Sequence, residues 1–255
     1  MKIHNYMVVM NSNLLHLNWP APKQVKALST IRQGGFSKPP FDSFNLGMHV
    51  GDDEQDVKNN RALLTQSLPH SPKWLDQTHS ADIITIDETN FQTYLTSQAD
   101  GFYTRLPNIP LAIMTADCLP IFLTDKQGTQ IAIVHAGWRG LAQGIIKNAL
   151  SLFSGNPADI IAYLGPAIGP LAFEVGEDVV NSFAPELFAP CFNKLENGKF
   201  LADIFAIASL QLKGSQVEQV YSELLCTYTD PVRFFSYRRD GQTGRLAHLI
   251  WLSKS

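Results

Sequence analysis

The sequence predicts a mixed α+β fold: a single-domain layered sandwich of mixed β-sheets flanked by helices, spanning residues 1–255. Three observations predict it. Apolar runs of strand length, such as Ile131-Ala132-Ile133-Val134, are separated by clear turn residues. Stretches with helical spacing fall between them, without the regular alternation of a doubly wound fold. No Pro/Ser-rich linker, internal repeat or low-complexity tract divides the 255 residues, and 45% hydrophobic with 17% charged residues is an ordinary globular composition.

Val25 to Ile31 reads as a strand. It runs into Arg32-Gln33-Gly34-Gly35-Phe36-Ser37, where paired glycines permit a tight loop that a ligand can approach. Residues 38–53 are rich in Pro, Gly, Asn and Asp and have no period, which predicts a long ordered loop of the kind that often carries function. Val57, Leu63, Leu64 and Leu68 give Glu54 to Leu68 a helical pattern. Lys73 to Asp87 reads as mostly extended, with Ile83, Ile84 and Ile86 in a strand and His79 in a connection between strand segments.

Leu111–Thr115 and Ile121–Thr124 are strand-like runs on either side of Asp117-Cys118-Leu119-Pro120. Asp125-Lys126-Gln127-Gly128 is a turn, and Ile131–Val134 is a buried strand with His135 at its end. Leu141, Ile145, Ala149 and Leu152 predict a helix over 139–153, so Ala136-Gly137-Trp138 connects strand to helix. Its N-terminus would turn free amides toward His135 and favour an anion; Gly137 and Gly140 read equally well as small residues permitting close packing. The remainder predicts strands over 160–164, 217–221 and 246–252 and helices over 176–183 and 202–212.

The formal net charge of -3 excludes the broad basic footprint of sequence-independent nucleic-acid binding. Arg233, Arg238, Arg239 and Arg245 form a local basic cluster, suited either to a small anion or to a solvated surface. Cys118, Cys191 and Cys226 are odd in number and scattered, which is not a disulfide framework. The N-terminal stretch has one short apolar patch, Met7 to Met10, and no small-residue cleavage site; the other apolar runs are too short to span a bilayer. A reducing cytoplasm and no membrane association are the expectation.

The chemistry concentrates in Gln77-Thr78-His79-Ser80, Thr115 to Pro120, and His135-Ala136-Gly137-Trp138-Arg139-Gly140. His79 and Cys118 fall in breaks between strands and His135 ends one, so a sheet can bring all three together. One thiolate and two imidazoles suit zinc. Three protein ligands leave the open position of a catalytic site rather than the closed shell of a structural one. Zinc there could acidify a water or polarise a substrate oxygen, and copper could also occupy such a site. Asp117 reads as a group that orients a ligand or moves a proton, or as a turn residue holding backbone amides. Cys118 with His135 or His79 as base also reads as a nucleophilic pair. His4, His16, His70 and His248 suit surface or packing roles, and His49 sits in the long loop. Walker, dinucleotide-binding, Gly-x-Ser-x-Gly and His-Glu-x-x-His motifs are missing from the sequence, as is the usual nucleobase-deaminase signature.

The sequence resembles the YfiH family, also called the laccase-domain or multicopper polyphenol oxidase family. The resemblance rests on Arg32 to Ser37, Pro40 to Leu46, Asn60-Arg61, Asp76 to Ser80, Thr115 to Pro120, His135 to Gly140, Leu164 to Gly169 and Phe234 to Arg239. It implies a YfiH-like fold, zinc ligands at His79, Cys118 and His135, and phosphorolysis of adenosine, inosine, guanosine and S-methyl-5'-thioadenosine, with adenosine deamination as a second activity. Purine nucleosides and phosphate are then the partners, and a monomer or weak oligomer the expected state. It also implies supporting roles for Arg32, Asn45, Arg61 and Arg139 in holding phosphate, ribose or the site loop. Oxidase chemistry through a copper cluster fits poorly, since only seven histidines occur and no two are separated by one residue. Some bacterial members are linked to editing of peptidoglycan precursors, an amidase reaction that a Cys-His pair would perform.

Overall fold

The structure is a computed structural model that describes residues 10–11 and 13–254. His4 and Met7 to Val9 lie outside the described residues. In chain order the strands are β1 Met10–Asn11, β2 Leu14–His16, β3 Val25–Thr30, β4 Ile83–Ile86, β5 Gly101–Thr104, β6 Leu111–Thr115 and β7 Leu119–Asp125. They continue with β8 Ile131–Ala136, β9 Ile160–Leu164, β10 Glu174–Val175, β11 Phe192–Lys194, β12 Phe200–Ala202, β13 Gln219–Ser222 and β14 Leu246–Leu252. They form a six-stranded sheet in the order β13-β9-β7-β8-β5-β4, a five-stranded sheet β1-β2-β3-β14-β6, and a small sheet β10-β12-β11. The six-stranded sheet is mixed: β13 is parallel to β9 and β4 to β5, while the central pairs are antiparallel. The α+β sandwich expected from the sequence is what the chain adopts.

The continuous apolar character of β8 follows from burial on both faces. Ile131 and Ile133 point toward the five-stranded sheet, packing with Phe102, Phe122, Tyr163, Leu111, Ile113 and Ile250. Ala132, Val134 and Ala136 point the other way, onto α2 Trp138–Ala142, α3 Ile145–Leu150 and the helix Ile204–Gly214. Burial of each such aliphatic side chain contributes about 1.5–3 kcal/mol, so this central layer anchors the ends of its strands.

The loop over 38–53 is ordered for a comparable reason. Phe44 and Leu46 are fully buried against the outer face of the five-stranded sheet, beside Leu64 of α1 Glu54–Thr65. Asp53 caps α1 by accepting from the amides of Gln55 and Asp56 at 2.8 and 3.1 Å, a cap of the kind that contributes about 1 kcal/mol. Buried Asn60 ties the glycine loop to the long loop. Its amide donates to Ser37 Oγ, Ser43 O and Asn45 O, and its oxygen accepts from Phe36 N.

Three expectations need correction. The helix predicted over 139–153 is two short helices, because Gly144 between them is left-handed at φ 87° and breaks the first. The helix over 176–183 shrinks to Glu177–Val180; Pro185 disfavours helical backbone in the residue before it and helps end the segment. Only Ile83–Ile86 of the extended stretch 73–87 joins a sheet as a strand, since the amides of Thr78 and Ser80 bond a buried carboxylate instead of a neighbouring strand. Among the described residues no helix is long and apolar enough to cross a membrane.

Candidate metal centre

The registers of the two large sheets bring five strand ends to one place. Pairing of Leu119 with Ala136 sets Cys118, just before β7, beside the chain leaving β8 at Gly137. Pairing of Gly101 with Val134 sets Asp100, just before β5, next to His135, whose amide donates to Asp100 O at 2.7 Å. Pairing of Thr115 with Leu246 delivers Arg245 to the same end. Gly137 is small for a reason: a Cβ there would lie 3.0 Å from Cys118 Sγ and 3.3 Å from His79 Cδ2.

His79, Cys118 and His135 converge as the sequence predicted, with one donor atom from each lying within 4.8 Å of the other two. Cys118 Sγ is 3.9 Å from His79 Nε2, and the two imidazoles meet edge to face with centroids 4.8 Å apart. His79 and Asp117, the neighbour of Cys118, both have positive φ, at 60° and 95°. Such conformations are sparsely populated in non-glycine residues and cluster at functional sites.

Asp100 organises the cluster. Its Oδ1 accepts from His135 Nδ1 at 2.7 Å, in full burial. Its Oδ2 accepts from the amides of Thr78 and Ser80 at 3.1 and 2.6 Å and from the Ser80 hydroxyl at 2.9 Å. One carboxylate thus sets the loop carrying His79 and directs Nε2 of His135 toward the other donors, the usual outer partner of a metal-bound histidine. Without a metal, burial of the Cys118 thiol opposes ionisation, yet His135 and His79 outweigh it and bring the thiol down to about 6. Burial likewise opposes charge on His135, and the Cys118 thiolate with Asp100 lifts it to about 9. A readily ionised thiol and two histidines, one backed by a fixed carboxylate, form a donor set that fits a zinc-type ion, whose binding would displace the extra proton of His135.

The cluster lies in a pocket of about 390 Å³ that is also lined by His49, Gln77, Met114, Thr115, Ala116, Tyr237 and Arg245. Tyr237 is 61% exposed, and the Arg245 guanidinium lies over its ring at 6.0 Å from the centroid. Gln77 is fully engaged with β6, donating to Met114 O and accepting from Met114 N.

The other residues singled out from the sequence do different work. Asp117 does not line the pocket. Its carboxylate accepts from the Thr227 hydroxyl at 2.6 Å and the Arg238 amide at 2.7 Å, both distant in sequence, holding the segment that carries Tyr237 rather than local turn amides. Arg32 bonds Asp42 and Pro231 O and stacks on Phe235, tying down the long loop. Arg61 gives two hydrogen bonds to Leu46 O and covers Trp74. Asn45 accepts from the amides of Gly47 and Arg245. Arg139 is exposed and lies over Trp138. None of these four lines the pocket. Of the basic cluster, only Arg245 reaches it; Arg233 and Arg239 pair with Asp230 and Asp240, and Arg238 donates to Glu174 O. His248 is a packing residue, fully buried between the hydroxyls of Ser29 and Thr115. Cys191 and Cys226 are free thiols, and neither belongs to a cluster of three metal-binding side chains among the described residues.

Sequence reasoning passed over Asp100 and Tyr237, and it left Arg245 undistinguished within a cluster. The signal for Asp100 was a lone carboxylate between two small residues at the start of a buried strand, where a metal-bound histidine finds its second partner.

The comparisons agree with this architecture. The sequence profile described as multi-copper polyphenol oxidoreductase laccase matches residues 26–253. The purine nucleoside phosphorylase YfiH of Escherichia coli K12 is 45% identical over 244 residues, covering 94% of this chain and 99% of that protein. A purine nucleoside phosphorylase of Haemophilus influenzae is 44% identical over 242 residues, covering 92% and 97%. The crystal structure of the Neisseria meningitidis protein NMB0706 superposes with a TM-score of 0.89 at 44% identity, covering 95% of this chain and all of that one. YlmD from Geobacillus stearothermophilus gives 0.88 at 33%, covering 97% and 99%. With a profile and relatives that span nearly the whole sequence, the chain belongs to the laccase-domain family typified by YfiH.

Proposed function

We propose that the protein is a zinc-dependent purine nucleoside phosphorylase acting on adenosine, inosine, guanosine and S-methyl-5'-thioadenosine, with adenosine deamination as a second activity of the same pocket. The observation that carries this reading is the His79, Cys118 and His135 cluster on the wall of a pocket sized for a small molecule. The names borne by the Escherichia coli and Haemophilus influenzae relatives supply the substrate class. A bound zinc would supply Lewis acidity, stabilising negative charge that develops on a substrate oxygen.

The three ligands hold the ion, and Asp100 fixes the imidazole of His135 so that no reorganisation is needed when substrate arrives. Tyr237 offers its exposed ring to the flat purine. His49 lines the mouth with no hydrogen-bond partner among the described residues, placed to carry a proton to or from the base. The test uses purified zinc-loaded protein with inosine and phosphate, measuring hypoxanthine and ribose 1-phosphate. Both products form with the wild type, and undiminished rates in His79→Ala or Cys118→Ala would sink the assignment.

The depressed Cys118 thiol supports a second reading, a Cys-His amidase with Cys118 as nucleophile. Chelation separates the two. Phosphorolysis stops on zinc removal, whereas an amidase would go on cleaving amide substrates without metal.

A further inference from the structure

Arg245 is held with unusual care for a side chain that bonds so little. Its amide donates to Asn45 Oδ1 at 2.8 Å, and Asn45 is itself fully buried and fastened to Asp52 and Gly47. Gly47 abuts its stem: a Cβ there would lie 2.7 Å from Arg245 Cγ. The long loop is therefore built against this arginine. Its Nη1 donates to Thr243 O and Gly244 O at 3.0 and 3.1 Å. The guanidinium lies over the Tyr237 ring at 6.0 Å from its centroid; among the described residues its Nε and Nη2 have no acceptor, and no carboxylate lies within 4 Å of it.

The contrast with the other arginines of the basic cluster and the long loop is direct. Arg32, Arg233 and Arg239 pair with carboxylates, and Arg61 spends its fork on Leu46 O. Arg245 alone of these lines the pocket with Cys118 and His135, and no carboxylate lines that pocket to compete for it. A partly buried cation whose Nε and Nη2 meet no acceptor, with Cys118, Asp117 and the Tyr237 ring as its compensation but no direct ion pair, is less fully compensated than buried charges normally are. Burial draws its pKa down more than Cys118, Asp117 and Tyr237 hold it up, and a bound oxyanion would offset the remaining cost.

We propose that Arg245 is the anion subsite of this pocket and that inorganic phosphate is its ligand. A planar fork of N–H donors matches two phosphate oxygens, which a point charge does not. Naming phosphate rests on the phosphorylase reading; the anion site itself does not.

The experiment titrates inorganic phosphate into zinc-loaded protein by calorimetry without nucleoside, and separately measures KM for phosphate with inosine saturating. Arg245→Gln weakens phosphate binding and raises its KM by about 10- to 100-fold, the scale of losing a charge-assisted pair. Zinc content stays at the wild-type level, and Arg245→Lys recovers part of the loss. Gly47→Ala keeps the arginine, crowds its stem and moves the phosphate KM in the same direction, so the test survives a poorly folding Arg245→Gln. Wild-type phosphate affinity in zinc-loaded Arg245→Gln would overturn the proposal, as would a wild-type protein that binds no phosphate. Phosphate binding that depends on Arg245, in a protein that does not split inosine, would uphold the subsite and overturn the phosphorylase reading.

Discussion

The pocket has two sides that treat their polar atoms in opposite ways. On the ligand side nearly every group is spent within the protein: Asp100 takes five hydrogen bonds from His135, Thr78 and Ser80, and Gln77 is clamped at both ends to Met114. On the loop side, formed by 38–53 and the segment around Tyr237, groups are left unspent. His49 and the Tyr237 hydroxyl have no hydrogen-bond partner among the described residues, and half of the Arg245 fork is free. Saturation fixes geometry without a ligand, while unsatisfied donors remain open to one. One side presents a group that could hold a metal ion, and the other presents free donors to the same pocket.

Removing a ligand breaks the first side outright. In Cys118→Ala or His135→Ala the zinc content drops and phosphorolysis falls by about 100- to 1000-fold or more, the scale of deleting the main electrostatic stabiliser. Metal analysis and turnover of the same preparation check this. A variant that keeps activity while losing zinc would mean that the metal only supports the fold.

Asp100→Asn sharpens the division, because it leaves every ligand in place and changes only what stands behind them. Zinc affinity is expected to fall by about 10- to 100-fold, measured by competition with a chromophoric chelator. Unchanged affinity would mean that the strand ends alone position His135. Tyr237→Ala probes the loop side. KM for inosine rises by about 3- to 10-fold with zinc affinity unaltered, and Tyr237→Phe restores it, as expected if the ring face is what matters.

The two sides also differed in how well they could be read from sequence. His79, Cys118 and His135 were legible because each sits at a break in an apolar run, and strand ends gather wherever sheets form. Asp100 was not, because its meaning depends on pairing with a strand 35 positions away. Arg32 and Arg61 were left open between phosphate, ribose and the site loop for a related reason. An arginine in a motif binds an anion or a carbonyl according to what folds beside it, and here Asp42 and Leu46 are the partners. The strands β3, β6, β9 and β14 followed directly from apolar patterning, whereas β10 to β12 are too short to leave a period. The long loop was recognised as ordered, but not what it was ordered against.

The smallest expected effect concerns the interior behind the ligand side, where His248 joins β3, β6 and β14 through Ser29 and Thr115. Burial, with a smaller contribution from His135, pushes its pKa down to about 3 from an ordinary value of 6.5. The unfolded chain therefore binds a proton between those values that the folded chain refuses. Its contribution is intact above 6.5 and is lost as pH falls, steepening toward about 1.4 kcal/mol per pH unit from this one site. Between pH 6 and 5 the metal-free protein loses about 1 kcal/mol to it. His248→Gln keeps a polar group between the two hydroxyls and removes the titration. Urea unfolding at both pH values then shows a shallower fall in the variant than in the wild type, whatever its stability at neutral pH. Parallel falls would mean that His248 takes up its proton in the folded state, and that the interior behind the ligands is wetter than its packing implies.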